Sequence, residues 1–308
     1  MPDRQIKALL QSILGDRASF GVPLKTLTTL GVGGPAKALT RPENVEELAA
    51  VLLATQANGL PYQIIGAGSN LLFLDEGYDG VIIKLGRSFQ AIDILKGDVI
   101  KAGAAAPAHR VMGKAIEAGL GGLECLSGIP CSLGGALAMN AGAGDSSIGD
   151  VITRIFYITA DGKYASKNRD ELDIQYRRMK GLPQDAVILG AEFQLAPVPV
   201  SYIKSRVDEL ADKRSATQPK GVRSAGCFFK NPPGESAGRM IDECGLKGAS
   251  VGGAMVSGVH ANFIVNTGEA RASDIVALMN MIIEKVEKKY GVTLETEVKI
   301  IGSGGEVE

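Results

Sequence analysis

Two glycine-rich stretches, 66-GAGSNLL-72 and 128-GIPCSLGGALAMNAGAG-144, constrain this chain more than any other feature. Glycine collects where the backbone must take positive φ or let another group approach closely. The chain holds 40 glycines, clustered between Gly31 and Gly149 with more around Gly252. The first stretch ends a predicted strand, 62-YQIIGAG-68, and the second leads into the N-terminus of a short helix. Neither is a Rossmann fingerprint, because Leu71 or Leu72 stands where a third glycine belongs, and no Gly-Lys-Ser/Thr exists for a P-loop. Successive N–H groups in glycine-permitted conformations still form nests for phosphate oxygens, and a helix N-terminus favours negative charge. A dinucleotide pyrophosphate is the natural guest, since few cationic side chains stand nearby. Tight turns and close helix packing would account for either stretch alone. Two of them in one α/β domain favour a ligand.

The surrounding pattern is mixed α/β. An amphipathic helix is predicted over 1–20, with Ile6, Leu9, Leu10 and Ile13 on one face. A second follows Pro42, striped by Val45, Leu48, Ala49 and Leu52 and ended by Asn58-Gly59. Strands at 62–68 and 81–85 give a β-α-β-β beginning. Hairpin strands over 91–105, a helix over 106–118, and strands at 151–160 and 187–195 continue the domain. The segment 196-APVPV-200 is the best linker candidate. Beyond it come helices at 201–213, near 236–244 and at 272–290, strands at 250–256 and 261–266, and a last strand at 294–302.

Composition narrows the function classes. A formal charge of -1 gives no global field for nucleic acid or an anionic membrane, and no tryptophan argues against stacking platforms. The start, MPDRQIKALLQSILGDR, is too charged for a signal peptide, and no apolar run approaches the ~20 residues of a membrane span. Cys125, Cys131, Cys227 and Cys244 lack CxxC spacing and there are two histidines, so no metal site is expected and the thiols should be reduced. A cytoplasmic chain without nucleic-acid or membrane partners is expected.

A third stretch, 223-RSAGCFFKNPPGESAGRMIDECGLKG-248, puts a thiol, two aromatics, a cation and an amide in consecutive positions (Cys227, Phe228, Phe229, Lys230, Asn231). Ser-Ala-Gly before the thiol allows tight turns, and Pro232 pushes Asn231 towards an extended conformation. Cys227 should then sit on a stiff loop or strand end, as a site residue needs. By itself the same run reads as a small buried thiol beside two core phenylalanines.

These residues also carry a resemblance. TTLGVGGPA, GAGSNLLFLDEGYDGVIIKL, LECLSGIPCSLGGALAMNAGAG, QYR, SAGCFFKNP, AGRMIDECGLKG, HANFIVN and LETEVKIIG resemble, in that order, the UDP-N-acetylenolpyruvoylglucosamine reductase family, over roughly Leu27 to Gly302. The chain is similar to the shorter class, which lacks an extra tyrosine loop. The resemblance implies an α+β fold: a two-lobed FAD-binding domain of the vanillyl-alcohol-oxidase type at 27–198 (lobes about 27–88 and 89–198), then an α+β substrate-binding domain at 199–308. An N-terminal helical segment, 1–26, precedes them. FAD would lie between the lobes, its pyrophosphate near Gly66, Gly68, Ser69 and Asn70 and near Gly128, Ser132, Gly134 and Gly135. Leu71, Ile129 and Pro130 would complete the contacts, with Asn140, Ala141 and Gly142 close to the flavin.

The implied reaction is NADPH-dependent reduction of UDP-N-acetylglucosamine enolpyruvate to UDP-N-acetylmuramate, for peptidoglycan, by a monomer. Carried over residue by residue, Cys227 would protonate the carbon beside the one that receives hydride. Arg177 and Glu297 would stabilise the enolate. Lys230 and Asn231 would hold the diphosphate end, with Gln218 on the same substrate side. Preorganised charge and a positioned acid are what such an enolate demands. Three departures stand out. Cys227 replaces a serine common in the family, 176-YRRMKG-181 lacks a serine after its arginine, and Cys131 and GAGDSS replace the glycine of IPGS and GAYG.

Taken singly, each residue has a plainer reading. Arg177 beside Arg178 and Lys180 would be a solvated charge, Glu297 an exposed strand residue with Glu295 on the same face, and Lys230 a surface lysine. His109 and His260 read as structural, and Cys125, Cys131 and Cys244 as small buried residues. Two other functions fit the same pattern: an FAD-linked oxidase of this fold on another small substrate, and a non-catalytic nucleotide-sugar-binding protein.

Overall fold

The computed structural model describes residues 3–307. The first two residues of the predicted N-terminal helix lie outside them. The chain divides into two compact units, each assembled from separated stretches.

The first unit takes residues up to Phe20, Ala38–Ala67 and Val81–Arg214. It has two cores. Helix α1 (Asp3–Leu14) lays Ile6, Leu10 and Leu14 against Leu48, Val51 and Leu52 of α2 (Val45–Ala57). Asn44 caps α2 by accepting from the Glu47 N–H at 2.7 Å. The Glu47 carboxylate in turn accepts from the Glu43 N–H and from the two terminal guanidinium nitrogens of Arg17. The strand Tyr62–Ile64 runs parallel to residues 81–83 beneath α2, in register Tyr62 to Val81. It is shorter than the predicted 62–68, because the glycines after Ile65 turn the chain away.

The second core lies between a five-stranded sheet and two helices. The sheet runs Tyr164–Asn168, Ile152–Ile158, Val187–Gln194, Val99–Gly103, Ile92–Leu95, antiparallel throughout. Helices α3 (Ala108–Glu117) and α4 (Leu133–Ala138) close it, with Val111, Leu133, Leu137 and Phe193 at its centre. A hairpin over Asp173–Gln175 and Arg178–Lys180 stands between the strands predicted at 151–160 and 187–195. Helix α5 (Val200–Thr217) begins after the linker-like prolines.

The second unit takes Gly21–Lys37, Gly68–Gly80 and Ser215–Glu308. Its antiparallel sheet runs Arg223–Ser224, Ile264–Asn266, Ala254–Val256, Ser250–Val251. Helices α6 (Ala237–Glu243) and α7 (Ala272–Tyr290) pack on one core, where Ile275, Leu278, Met279, Ile282 and Val286 form the stripe predicted for α7. Gly291 ends α7 in the left-handed conformation, φ 68°. A second sheet places Lys299–Gly302 between Leu71–Phe73, parallel, and Gly305–Val307, antiparallel.

These units differ from the contiguous division at 26 and 198. Residues 3–14 share the core of α2 and form no segment of their own. Leu30, Val32 and Leu72 belong to the core of α7, far along the chain. Apolar side chains go where a core can bury them, and that takes no account of sequence order. No helix among the described residues is long and apolar enough to cross a membrane.

Candidate active site

The thiol stretch is held as an extended strip in the second unit. Phe228 and Phe229 are buried, their rings 5.3 Å apart, so the core reading of the two aromatics is right for them. Burying them fixes which way the neighbouring peptides face. The Glu297 N–H donates to the Phe228 carbonyl at 2.8 Å, the Lys230 N–H donates to the Glu295 carbonyl at 2.9 Å, and Phe229 faces Thr296 across an antiparallel bridge. Cys227, half-buried, and Glu297, half-buried, are thereby brought to one strip. Glu295 is exposed and its carboxylate meets Lys230 Nζ at 3.0 Å. The two glutamates therefore differ in surroundings, and Lys230 is engaged by Glu295.

This corrects the expected last strand. Regular pairing starts at Lys299, not Leu294, because 294–298 spend their hydrogen bonds on the 228–230 strip before Lys299 meets Leu71. Asn70 fastens the junction. Its Nδ2 donates to the Glu297 carbonyl at 3.0 Å, and its own carbonyl accepts from the Lys299 N–H at 3.1 Å. A residue expected on the cofactor thus also ties down Glu297. Asn231 Oδ1 accepts from the Ala237 N–H at 3.1 Å, at the first turn of α6. Gln218 is half-buried just beyond α5. Asn262, given no role by the sequence reading, is 3% exposed and bonds both main-chain groups of Phe229. An amide inside the apolar run 261-ANFIVN-266 was the signal.

In the first unit Arg177 caps the hairpin tip with φ 54°, the left-handed region that a non-glycine residue enters at a cost. It is half-buried rather than solvated, donates Nη1 to the Gly142 carbonyl at 3.4 Å, and lies 5.2 Å from the Tyr176 ring centroid. Asn140, φ 41° and buried, holds the same region together. Its Nδ2 donates to the Gln175 carbonyl and its Oδ1 accepts from the Gly149 N–H, both at 3.0 Å. Ala141 and Gly142 are buried alongside, Gly142 paired with Ser147. Asn140 to Gly142 and Arg177 therefore form one cluster.

The glycine stretches divide in their fitness for a diphosphate. Among the described residues, the N–H groups of Gly66, Ala67, Gly68, Ser69 and Asn70 donate to no protein acceptor. Gly68 has φ +68° and a Cβ there would overlap the Leu27 carbonyl at 2.0 Å. Five unspent donors on a side-chain-poor loop fit a phosphate. Gly66 meets Ser132, whose Oγ would lie 2.1 Å from an added Cβ, so the two stretches adjoin. The N-terminus of α4, by contrast, is closed. Leu133, Gly134 and Gly135 give their N–H groups to Ala106, Ala104 and Ser132 Oγ. An added Cβ on Gly134 would come within 3.0 Å of the Ala104 side chain, so this glycine admits the 104–106 turn. Gly128, φ +69°, and Pro130 are exposed, and Ile129 packs on the second core.

Burial pushes the Cys125 thiol up to about 12 and the Cys131 thiol up to about 11. Both stay protonated and inert. Cys244 is half-buried, more open than expected. Burial, then Lys247, lowers His260, whose Nδ1 accepts from the Asn262 N–H.

Residues 36–166 match the family described as FAD binding domain, and residues 218–301 match UDP-N-acetylenolpyruvoylglucosamine reductase, C-terminal domain. A UDP-N-acetylenolpyruvoylglucosamine reductase of Desulfosudis oleivorans is 40% identical over 311 residues, covering 97% of this chain and 99% of the relative. The chain belongs to the UDP-N-acetylenolpyruvoylglucosamine reductase family. A member from Geobacter metallireducens is 42% identical, covering 91% of this chain and 92% of its own. The crystal structure of the Thermus caldophilus reductase superposes with a TM-score of 0.79 at 40% identity, over 92% of this chain and 97% of that one. As a family member with an FAD-binding domain, the chain is an FAD-dependent oxidoreductase. Its fold is α+β, the FAD-binding domain followed by the reductase C-terminal domain.

Proposed function

We propose that the chain reduces UDP-N-acetylglucosamine enolpyruvate to UDP-N-acetylmuramate with NADPH as donor, in the cytoplasm and as a monomer. When bound, FAD would supply the hydride-transfer chemistry that links NADPH to the vinyl group of the substrate. The Gly66–Asn70 loop would hold its diphosphate through main-chain donors, with Asn140 to Gly142 near the ring.

The protein's own residues handle charge and the proton. As hydride arrives, negative charge gathers on the substrate as an enolate. Arg177 offsets it with a fixed guanidinium, and Glu297, in its protonated form, donates a hydrogen bond to it. Cys227 Sγ–H gives its proton to the carbon beside the vinyl terminus, leaving a thiolate that solvent reprotonates. Lys230, Asn231 and Gln218 serve the diphosphate end of the substrate. The observation supporting this reading is the 227–230 strip bonded across to 295–297, which carries a thiol and a carboxyl group on one hydrogen-bonded support.

The test is the flavin spectrum of the FAD-loaded protein, bleached anaerobically with NADPH and then mixed with the enolpyruvyl substrate. Return of the oxidised band is expected. A flavin that stays reduced until air is admitted would overturn the proposal in favour of an oxidase.

A further inference from the structure

The motif HANFIVN lies outside the chemistry above, yet its asparagine holds the strip that carries it. We propose that Asn262 is the positioning residue that fixes Cys227 and Glu297 against the substrate, an inference that rests on the roles proposed for those two residues.

Asn262 binds the strip three times. Its carbonyl accepts from the Phe228 N–H at 2.7 Å, its Oδ1 accepts from the Phe229 N–H at 2.9 Å, and its Nδ2 donates to the Phe229 carbonyl at 2.8 Å. A carboxamide presents one donor and one acceptor side by side, as a peptide group does. Asn262 therefore completes one edge of the strip as a strand would, where no strand runs. The chain turns there, with the Phe263 N–H returning to the His260 carbonyl and the Asn262 N–H to His260 Nδ1. On the opposite edge stand Glu295 and Glu297.

Residue Phe228 thus links both groups. Cys227 is its covalent neighbour, and Glu297 hangs on its carbonyl. Tilting it moves the thiol and the carboxyl group together. The phenyl rings resist sliding, but only hydrogen bonds along both edges resist rotation about the strip. A side-chain amide can do this within a turn, and a carboxylate or hydroxyl cannot copy it.

Asn262→Asp and Asn262→Ser, purified with FAD, decide the matter in two separate half-reactions. Bleaching by NADPH should stay within about twofold of the parent. Return of the flavin band with the enolpyruvyl substrate should slow by about tenfold or more, as small misplacements of reacting groups do. Its solvent deuterium isotope effect should rise, because proton delivery becomes limiting. Equal slowing of both half-reactions, or of neither, overturns the inference. If neither variant retains FAD, amide hydrogen exchange in the parent decides instead. Phe228 and Phe229 should be protected like core strands, and loop-rate exchange there overturns the inference. A parent enzyme that bleaches but is not reoxidised by the substrate would instead overturn the proposed reaction.

Discussion

The acid proposed at position 227 is a thiol, by far a stronger acid than a hydroxyl, with an ordinary pKa of ~8.5. It gives its proton readily but also loses it to alkaline solvent. The parent enzyme should show an alkaline fall in turnover that Cys227→Ser lacks, while Cys227→Ser keeps measurable activity and Cys227→Ala loses the protonation step. Identical pH–rate profiles for parent and serine variant would remove Cys227 from the mechanism. Glu297 and Glu295 give a second contrast. Glu297→Ala should lower kcat by about 10²–10³ through loss of a preorganised donor. Glu295→Gln, which loses only an exposed ion pair with Lys230, should change kcat little. Single-turnover flavin reoxidation reads both. The candidate residues were legible in the sequence as a run, Cys227 to Asn231. Their side-chain partners were not. The amides of Asn70, Asn140 and Asn231 bond protein groups contributed by residues elsewhere in the chain. A motif records that an amide is present, but not which acceptor folding will bring to it.

Elements with their own periodicity were read well, and those defined by a distant partner were not. α7 was legible from its stripe and its closing glycine. The last strand was placed five residues early, because its pairing begins only where Leu71 and Phe73 lie beside it. The start of α7 has the same dependence. Its Ala272 and Ser273 N–H groups donate to the Asp75 carboxylate at 2.9 and 3.0 Å. Burial alone would raise the Asp75 carboxyl, but the Ser273 and Ala272 N–H bonds outweigh it and hold the pKa below its ordinary value. A carboxyl whose pKa is lowered by folding adds stability above its unfolded pKa, and that stability is lost as pH falls through the folded value. Asp75→Ala should therefore cost about 1 kcal/mol at neutral pH, the usual worth of a helix cap, and progressively less in acid. Urea midpoints of parent and variant at pH 7 and at pH 3 check both magnitude and sign.

Over the whole molecule, the division into α+β parts was legible from helix and strand signals, but the membership of each part was not. Nothing local in TLTTLGVGG or LLFLDEG says that Leu30, Val32 and Leu72 will share a core with α7. A fragment of residues 215–308 therefore lacks both the strand beside Lys299–Gly302 and a side of its core. It should show no cooperative thermal transition by circular dichroism. A sharp transition would mean that the second unit does not need Gly21–Lys37 and Gly68–Gly80. The parallel pairing of Leu71–Phe73 with Lys299–Gly302 bears also on birth at the ribosome. The early strand leaves the exit tunnel long before its partner is synthesised, and its edge and apolar face must wait, open to chaperones and to other nascent chains. Slowed translation late in the message would lengthen that exposure, so yield in the cell is governed by synthesis speed as well as by the energetics of the finished fold.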